Sequence, residues 1–178
     1  MVPILEDFDG YTPPNWINPT VRRLFASVPE AHVTGLASVV LTESAKTRRI
    51  PIRRRAGKKY QANQRLGFYR STWRGEPPGI HLVIDNILGQ ERGLAWIQIG
   101  RDVTLGKVLF HEIGHHLNTR VGLIAASEEE SAEAWERRLM RLHLRRRYWF
   151  LRPVVPILRF VVTVLRRVKQ PASSLGIR

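Results

Sequence analysis

The sequence predicts an α+β fold in which a small mixed sheet packs against two consecutive helices. Three observations support this prediction. Strand-like patterns cluster before residue 87, and helical patterns fill most of the following 60 residues. The first of these helices carries His111-Glu112-Ile113-Gly114-His115, and the second begins with a run of glutamates. A length of 178 residues suffices for one domain with its own hydrophobic core.

The part of the chain before the first long helix is predicted to hold the strands. Residues 1–30 are interpreted as an irregular lead-in with one short helix, at 20–27, that Pro29 ends. Three strands are predicted, at 36–42, 66–70 and 80–86. The last is the clearest, because apolar residues alternate along it from Ile80. The basic stretch 44–65 is typical of a mobile loop or an extended hairpin.

The first long helix is predicted from apolar residues at helical spacing between Val103 and Leu117. Asp102 and Thr104 are the candidate N-caps. The helix is expected to end near Asn118 or Gly122. It contains two glycines, Gly106 and Gly114, which cost helix stability and indicate close packing on a neighbouring strand. Gly114 could also leave room for another chain segment beside a metal.

The motif H-E-x-x-H on this helix predicts a zinc site. Histidines four residues apart project from one face, so His111 and His115 can bind the same Zn²⁺ through ring nitrogens. Glu112 then lies beside the open coordination position, where it can take a proton from a metal-bound water. With no cysteine in the chain, zinc ligation by sulfur is excluded.

A third protein ligand is required for a catalytic zinc. A metzincin would have a histidine at the position of Val121, so that pattern fails. His116 points about 100° away from His115 and is better suited to packing. His143 lies among arginines and is expected to be solvated.

The second helix is the remaining source of the third ligand. It is predicted from Ser127, as an N-cap with Glu130 in a capping box, to Arg146. Its acidic start, Glu128-Glu129-Glu130 with Glu133, also suits the helix dipole. Helical geometry favours Glu128 and Glu129 about equally, since both lie near the apolar stripe that continues through Ala132 and Trp135.

The strand at 80–86, the H-E-x-x-H helix and Glu129-x-x-Ala132-x-x-Trp135 together resemble a minimal zincin metallopeptidase of the gluzincin kind, similar to the ImmA/IrrE family. The resemblance covers about residues 30–145 and is highly specific only at H-E-x-x-H. It implies zinc on His111, His115 and Glu129, with Glu112 as general base. Ser131 and Glu133 depart from that family's usual residues, and no helix-turn-helix module precedes the domain.

These observations predict a zinc metallopeptidase domain at 31–146 that hydrolyses peptide bonds. In such enzymes a strand at the cleft edge pairs with the substrate, and 80–86 is the candidate, with an ordinary internal strand as the alternative. A second hypothesis is a zincin-like binding module without catalysis, which would dock on nucleic acid or anionic membrane. Glu112 argues against it, because a structural zinc site needs no base.

The charge of the chain is concentrated in two segments. Residues 46–74 carry +11 and residues 137–178 carry +12, with no acidic residue in either, out of a net +14. Segment 46–74 is a candidate nucleic-acid contact. The basic, aromatic and apolar segment 147–178 could bind an anionic membrane through 147–169, or pack on the domain. The N-terminus lacks signal-peptide order, so we expect a cytoplasmic protein, with peripheral membrane attachment as an option.

Overall fold

The structure, a computed structural model, describes residues 2–47, 65–72, 75–90, 96–122 and 125–151, and only the backbone of 125, 126 and 151. This part of the chain contains four strands and five α-helices. In order they are β1 (Ile4–Asp7), α1 (Ile17–Ala26), β2 (Ser38–Thr42), α2 (Ser44–Thr47), β3 (Gly67–Arg70), β4 (Gly79–Val83), α3 (Ile84–Gln90), α4 (Gln98–Val121) and α5 (Ala125–Arg147).

The strands form one mixed sheet in the order β1-β2-β4-β3. β1, β2 and β4 are parallel, whereas β3 runs antiparallel to β4 at the edge. The cross-strand row Leu5, Val40, His81 and Phe68 lies in register across all four strands. This mixed sheet, combined with long helices, confirms the predicted α+β class.

The hydrophobic core lies between the sheet and the helices α1 and α4. Side chains alternate along a strand, so one face of β2 and β4 supplies the buried residues Val39, Leu41, Ile80 and Leu82. In α1 the residues Ile17, Val21 and Leu24 recur at helical spacing and are at most 1% exposed. In α4 the largest core group is Leu105, Leu109, Phe110 and Ile113, all fully buried. Buried residues alternate along the strands and recur at helical spacing along the helices, which explains why the former segments form strands and the latter form helices.

α5 packs antiparallel to α4. Contacts run in opposite order along the two helices: Asp102 meets His143, Gly106 meets Met140, Gly114 meets Ala132 and Asn118 meets Glu128. The reversal follows Gly122, the predicted terminator, which caps α4 with φ 69° in the left-handed region that glycine adopts readily. The two glycines of α4 therefore pack on a helix, and the prediction that they face a strand is wrong.

Two local predictions are also wrong, and of the two roles considered for the strand at 80–86 the structure shows the internal one. The lead-in is not irregular throughout, because Ile4–Asp7 forms β1 beside β2. The strand predicted at 80–86 ends at Val83, because Ile84 and Ile87 are buried one helical turn apart and Asp85 accepts hydrogen bonds from Ser44. β4 has β2 on one side and β3 on the other, so it is an internal strand and not a cleft edge.

The helix starts also differ from the predictions. α4 begins at Gln98, four residues before Asp102, whose carboxylate binds side chains of other helices instead of capping its own. α5 begins at Ala125, so Ser127 lies inside the helix and is not the residue that precedes its first turn. Both long helices otherwise cover the predicted residues.

The chain divides into two compact units, Met1–His143 and Leu144–Arg178. The second is described only to residue 151, where the arginines 145–147 end α5 and Trp149–Leu151 forms a 3₁₀ turn. Among the described residues, no helix combines the length and apolar character needed to cross a bilayer. The predicted membrane segment beyond 151 and the predicted nucleic-acid segment at 48–64 and 73–74 lie outside the described residues.

Candidate metal centre

The two motif histidines lie in the middle of α4 and face the first turns of α5. Their Nε2 atoms are 3.2 Å apart. Glu129 of α5 reaches both, with Oε1 3.2 Å from Nε2 of His111 and Oε2 3.6 Å from Nε2 of His115. The side chains are 20%, 14% and 61% exposed respectively for His111, His115 and Glu129. The structure thus brings together the three residues that the resemblance implied as ligands.

The spacing of these three groups fits a tetrahedral metal ion. Ligand atoms about 2.0–2.1 Å from a tetrahedral zinc are separated from one another by about 3.3 Å. Two separations lie close to that value, since Nε2 of His111 is 3.2 Å from both Nε2 of His115 and Oε1 of Glu129. The second Glu129 oxygen, Oε2, is 3.6 Å from Nε2 of His115, and one ligand atom from each residue lies within 4.8 Å of the other two. Two imidazole nitrogens and a carboxylate oxygen are also ligands that zinc accepts, and three protein ligands leave the fourth position for water or substrate.

Close contact between α4 and α5 brings Glu129 within reach of His111 and His115. A Cβ atom on Gly114 would lie only 2.7 Å from Cα and 2.8 Å from the carbonyl oxygen of Ala132. Because backbone cannot move aside as a flexible side chain can, glycine permits this approach. Ala132 is three residues, or about one turn, beyond Glu129. The expectation that Gly114 leaves room for another chain segment is therefore confirmed, and that segment is α5.

The other candidate ligands of α5 lie elsewhere. The backbone carbonyl of Glu128 accepts a hydrogen bond from Nδ2 of Asn118 at 2.8 Å, which joins the ends of the two helices. Glu133 is exposed and forms an ion pair with Arg137 on the same helix. Neither belongs to the cluster of His111, His115 and Glu129 found among the described residues.

Glu112, the predicted base, is buried at 6% exposure. It lies under the edge strand β3, where a Cβ atom on Gly67 would come 3.3 Å from Cγ of Glu112 and 2.7 Å from Val108. Glycine at position 67 thus lets β3 approach α4 at the residue between the two histidines. Burial excludes bulk water from much of this carboxylate's surroundings.

Glu136 also lies beside His111, although it was not predicted as a site residue. Its Oε2 lies 3.4 Å from Nδ1 of His111, on the side of the ring opposite the Nε2 that faces Glu129. The Glu136 side chain is 19% exposed, compared with 61% for Glu129. Its signal in the sequence is the spacing: 129 and 136 are seven residues apart, which places both on one face of a helix.

His116 occupies the opposite side of α4 and is 2% exposed. Its Nδ1 lies 3.2 Å from the Tyr69 hydroxyl and its Nε2 3.1 Å from the Thr34 carbonyl. Burial lowers the pKa of His116, the Thr34 carbonyl raises it and Arg120 lowers it, with a net downward shift. Its position away from the ring nitrogens that face Glu129 agrees with the predicted packing role.

The expectation that His143 is solvated is wrong. The residue is 2% exposed, with Nε2 3.0 Å from Asp102 and Nδ1 3.0 Å from the Ser27 hydroxyl. Arg23 of α1 pairs with the other oxygen of Asp102, whose side chain is fully buried. Although arginines neighbour His143 in the sequence, its side chain belongs to a buried network between three helices.

No family model, curated protein or solved structure matches this chain. The geometry of the site therefore carries the functional argument.

Proposed function

We propose that this protein is a zinc-dependent peptidase with a minimal zincin fold. The observation that carries the proposal is the convergence of His111 and His115 of α4 with Glu129 of α5, beside Glu112 of the same motif. A purely structural zinc site has four protein ligands, whereas this cluster supplies three among the described residues. An open fourth position is what a hydrolytic site requires.

In this proposal each side chain has a defined task. Bound zinc would polarise the scissile carbonyl and lower the pKa of the attacking water. Glu112 accepts a proton from that water as the C–O bond forms, and then donates it to the leaving nitrogen as the C–N bond breaks. The histidines and Glu129 hold their donor atoms converged, so little reorganisation accompanies the reaction.

The substrate peptide is proposed to lie along β3. Within the described residues this strand pairs with β4 on one side only, and it passes over α4 at Glu112. An extended peptide could add to the sheet at that edge through main-chain hydrogen bonds. β3 takes the place of 80–86 in this role, because β4 is internal.

Metal analysis of four proteins tests the ligand set. We expect about one zinc per chain in the wild type, and strong loss of zinc in His111→Ala and Glu129→Ala. Glu128→Ala serves as the matched control, since it alters the neighbouring acid outside the cluster and should retain zinc. A wild-type protein purified with zinc supplied that still binds none would refute the proposal.

Glu112→Gln tests the chemistry. The substitution preserves the size of the side chain but removes its ability to take up a proton, so zinc should remain and peptide cleavage should be lost. The assay is hydrolysis of a mixed fluorogenic peptide library by the zinc-loaded proteins. Cleavage by Glu112→Gln at the wild-type rate would show that another group is the base.

A second candidate function is attachment to an anionic membrane surface. Trp149 and Phe150 are 66% and 54% exposed and directly follow the exposed arginines 145–147. Aromatic rings at headgroup depth and arginines on anionic lipid are typical of interfacial segments. We expect Trp149→Ser/Phe150→Ser to weaken sedimentation with phosphatidylserine vesicles, and wild type not to sediment with phosphatidylcholine alone. Equal sedimentation with both lipids would exclude this electrostatic attachment.

A further inference from the structure

We infer that Glu136 is a positioning residue that holds the ring of His111 by accepting a hydrogen bond from its Nδ1–H when Nε2 binds zinc. The inference rests on the proposed zinc site and deepens it, because it assigns a role to a carboxylate that does not itself face the converging ligand atoms. Glu129 and Glu136 extend from one face of α5 and contact opposite nitrogens of the same ring.

The geometry of the imidazole carries the argument. A neutral histidine has one N–H and one nitrogen lone pair, and only the lone pair can bind a metal. Glu136 lies 3.4 Å from Nδ1, and a carboxylate can only accept a hydrogen bond. A zinc ion held at the cluster would take the lone pair of Nε2, the nitrogen 3.2 Å from both His115 and Glu129. The one N–H of the ring then lies on Nδ1, where a Glu136 oxygen can accept its hydrogen bond.

The environment of Glu136 strengthens this contact. The carboxylate is 19% exposed, so water competes less for it than for Glu129 at 61%. A carboxylate behind a histidine ligand also makes the ring a stronger donor to the metal, and loss of such a partner typically weakens metal binding about 10–100-fold. Glu129 and Glu136 thus have different tasks, one as a ligand and the other behind a ligand.

Removal of a different glutamate on the same helix provides a control. Glu133 is a glutamate within one turn of Glu136, but it is exposed and paired with Arg137. Its removal changes the charge of α5 by the same amount without touching His111. A general effect of negative charge near the site would appear in both variants, whereas a positioning effect would appear in Glu136 variants alone.

Competition with a chelating dye measures zinc affinity of the full-length wild type, Glu136→Ala, Glu136→Gln and Glu133→Ala. We expect Glu136→Ala to bind zinc about 10–100-fold more weakly. Glu136→Gln, which keeps an acceptor oxygen and loses the charge, should fall between Glu136→Ala and wild type. Glu133→Ala should match wild type. Zinc affinity of both Glu136 variants within twofold of wild type would overturn the inference.

Ring ¹H and ¹⁵N chemical shifts of His111 in the zinc-loaded proteins give a second readout that is independent of zinc affinity and of activity. We expect a downfield, slowly exchanging Nδ1 proton in wild type and Glu133→Ala, and an upfield, faster-exchanging one in Glu136→Ala. An unchanged Nδ1–H signal in Glu136→Ala would contradict the inference even if zinc affinity fell. A wild type that binds no zinc would overturn the proposed function and this inference with it, whereas a wild type that binds zinc beside unaltered Glu136 variants would overturn this inference alone.

Discussion

Two clusters of histidine and carboxylate side chains connect α4 with α5, and they differ in where their ring nitrogens point. In the C-terminal half of α4, His111 and His115 face Glu129 and Glu136 of α5. The two histidines and Glu129 turn donor atoms towards one another, whereas Glu136 lies behind His111. Nine residues before His111, Asp102 of α4 faces His143 of α5, with Arg23 and Ser27 of α1 closing the network. We call these the open cluster and the closed cluster.

The difference lies in where the ring nitrogens point. In the closed cluster both nitrogens of His143 lie 3.0 Å from protein oxygens, so that imidazole has no lone pair to offer a metal. In the open cluster the Nε2 atoms of both histidines point at each other and at one carboxylate. Residue types alone therefore do not distinguish the two clusters; convergence of donor atoms does.

The largest expected effect belongs to the closed cluster. Asp102→Ala removes the buried carboxylate and leaves Arg23 and His143 without its charge, which should cost about 3–5 kcal/mol of unfolding free energy. Zinc affinity of the folded variant should equal that of wild type. Urea denaturation of the metal-free protein and dye competition measure the two quantities.

The reciprocal variant is His111→Ala. It should lose zinc binding and cost the metal-free protein much less stability than Asp102→Ala, because its site is partly exposed. If Asp102→Ala abolished zinc binding in a protein that remains folded, the two clusters would not be separable.

His81 lies outside both clusters and tests the effect of a buried histidine without a carboxylate cluster. Its ring stacks on Phe68 at 4.6 Å, on the sheet face away from α1 and α4. Burial, together with Arg70, lowers the pKa of His81 to about 4, against a small opposing effect of Asp7. Between pH 6.5 and about 4 the unfolded chain is protonated at this residue and the folded protein is not. Unfolding therefore takes up a proton, and stability falls as pH falls through that window.

The expected loss from His81 is at most about 3 kcal/mol between pH 6.5 and 4. His81→Phe keeps an aromatic ring against Phe68 and removes the titration, so its stability should decline less over the same window. Chemical denaturation at several pH values gives the comparison. Parallel pH profiles for variant and wild type would disprove the assignment.

Zinc should stabilise the protein through the open cluster alone. At free zinc 100 times its dissociation constant, the gain is about 2.7 kcal/mol. Asp102→Ala should gain as much as wild type, and His111→Ala should gain nothing. Thermal unfolding with and without zinc measures the shift; a zinc-dependent gain in His111→Ala would place the metal elsewhere.

The two glycines of α4 give the smallest effects. Gly114→Ala, beside the open cluster, brings Cβ against the backbone of Ala132 and should cost about 1–3 kcal/mol and weaken zinc binding. Gly106→Ala meets the flexible tip of Met140 at 3.0 Å, with Leu24 and Phe110 slightly farther. That change should lie within about 1 kcal/mol of wild type, because alanine also favours the helix. Equal losses in both variants would mean that α5 approaches the two positions alike.

The sequence predicted what depends on short-range spacing. Helical periodicity is sufficient to put His111 and His115 on one face, and alternation is sufficient to predict strands at β2 and β4. β1 was missed because Ile4-Leu5-Glu6-Asp7 is short and half acidic, and only its pairing with β2 makes it a strand.

What could not be predicted depends on the pairing of distant segments. Asp102 and His143 are 41 positions apart, so each looked solvent-facing by itself, one as a cap and one among arginines. Glu136 likewise acquires a role only once α5 is aligned on α4, because its partner His111 lies 25 positions earlier. Local patterns carry no information on that alignment.

The antiparallel contact of α4 and α5 also sets a rotational constraint on α5. Residues 129, 132, 136, 139 and 143 recur at spacings of three and four, so one stripe of α5 carries the ligand, the Gly114 contact, the carboxylate behind His111, a core leucine and the buried histidine. A slip of one residue would turn this stripe by about 100° and remove all five at once. The contacts along this stripe therefore fix the rotation of α5 jointly, and the buried pair is one of several that do so, which is why its loss alone should leave the open cluster intact.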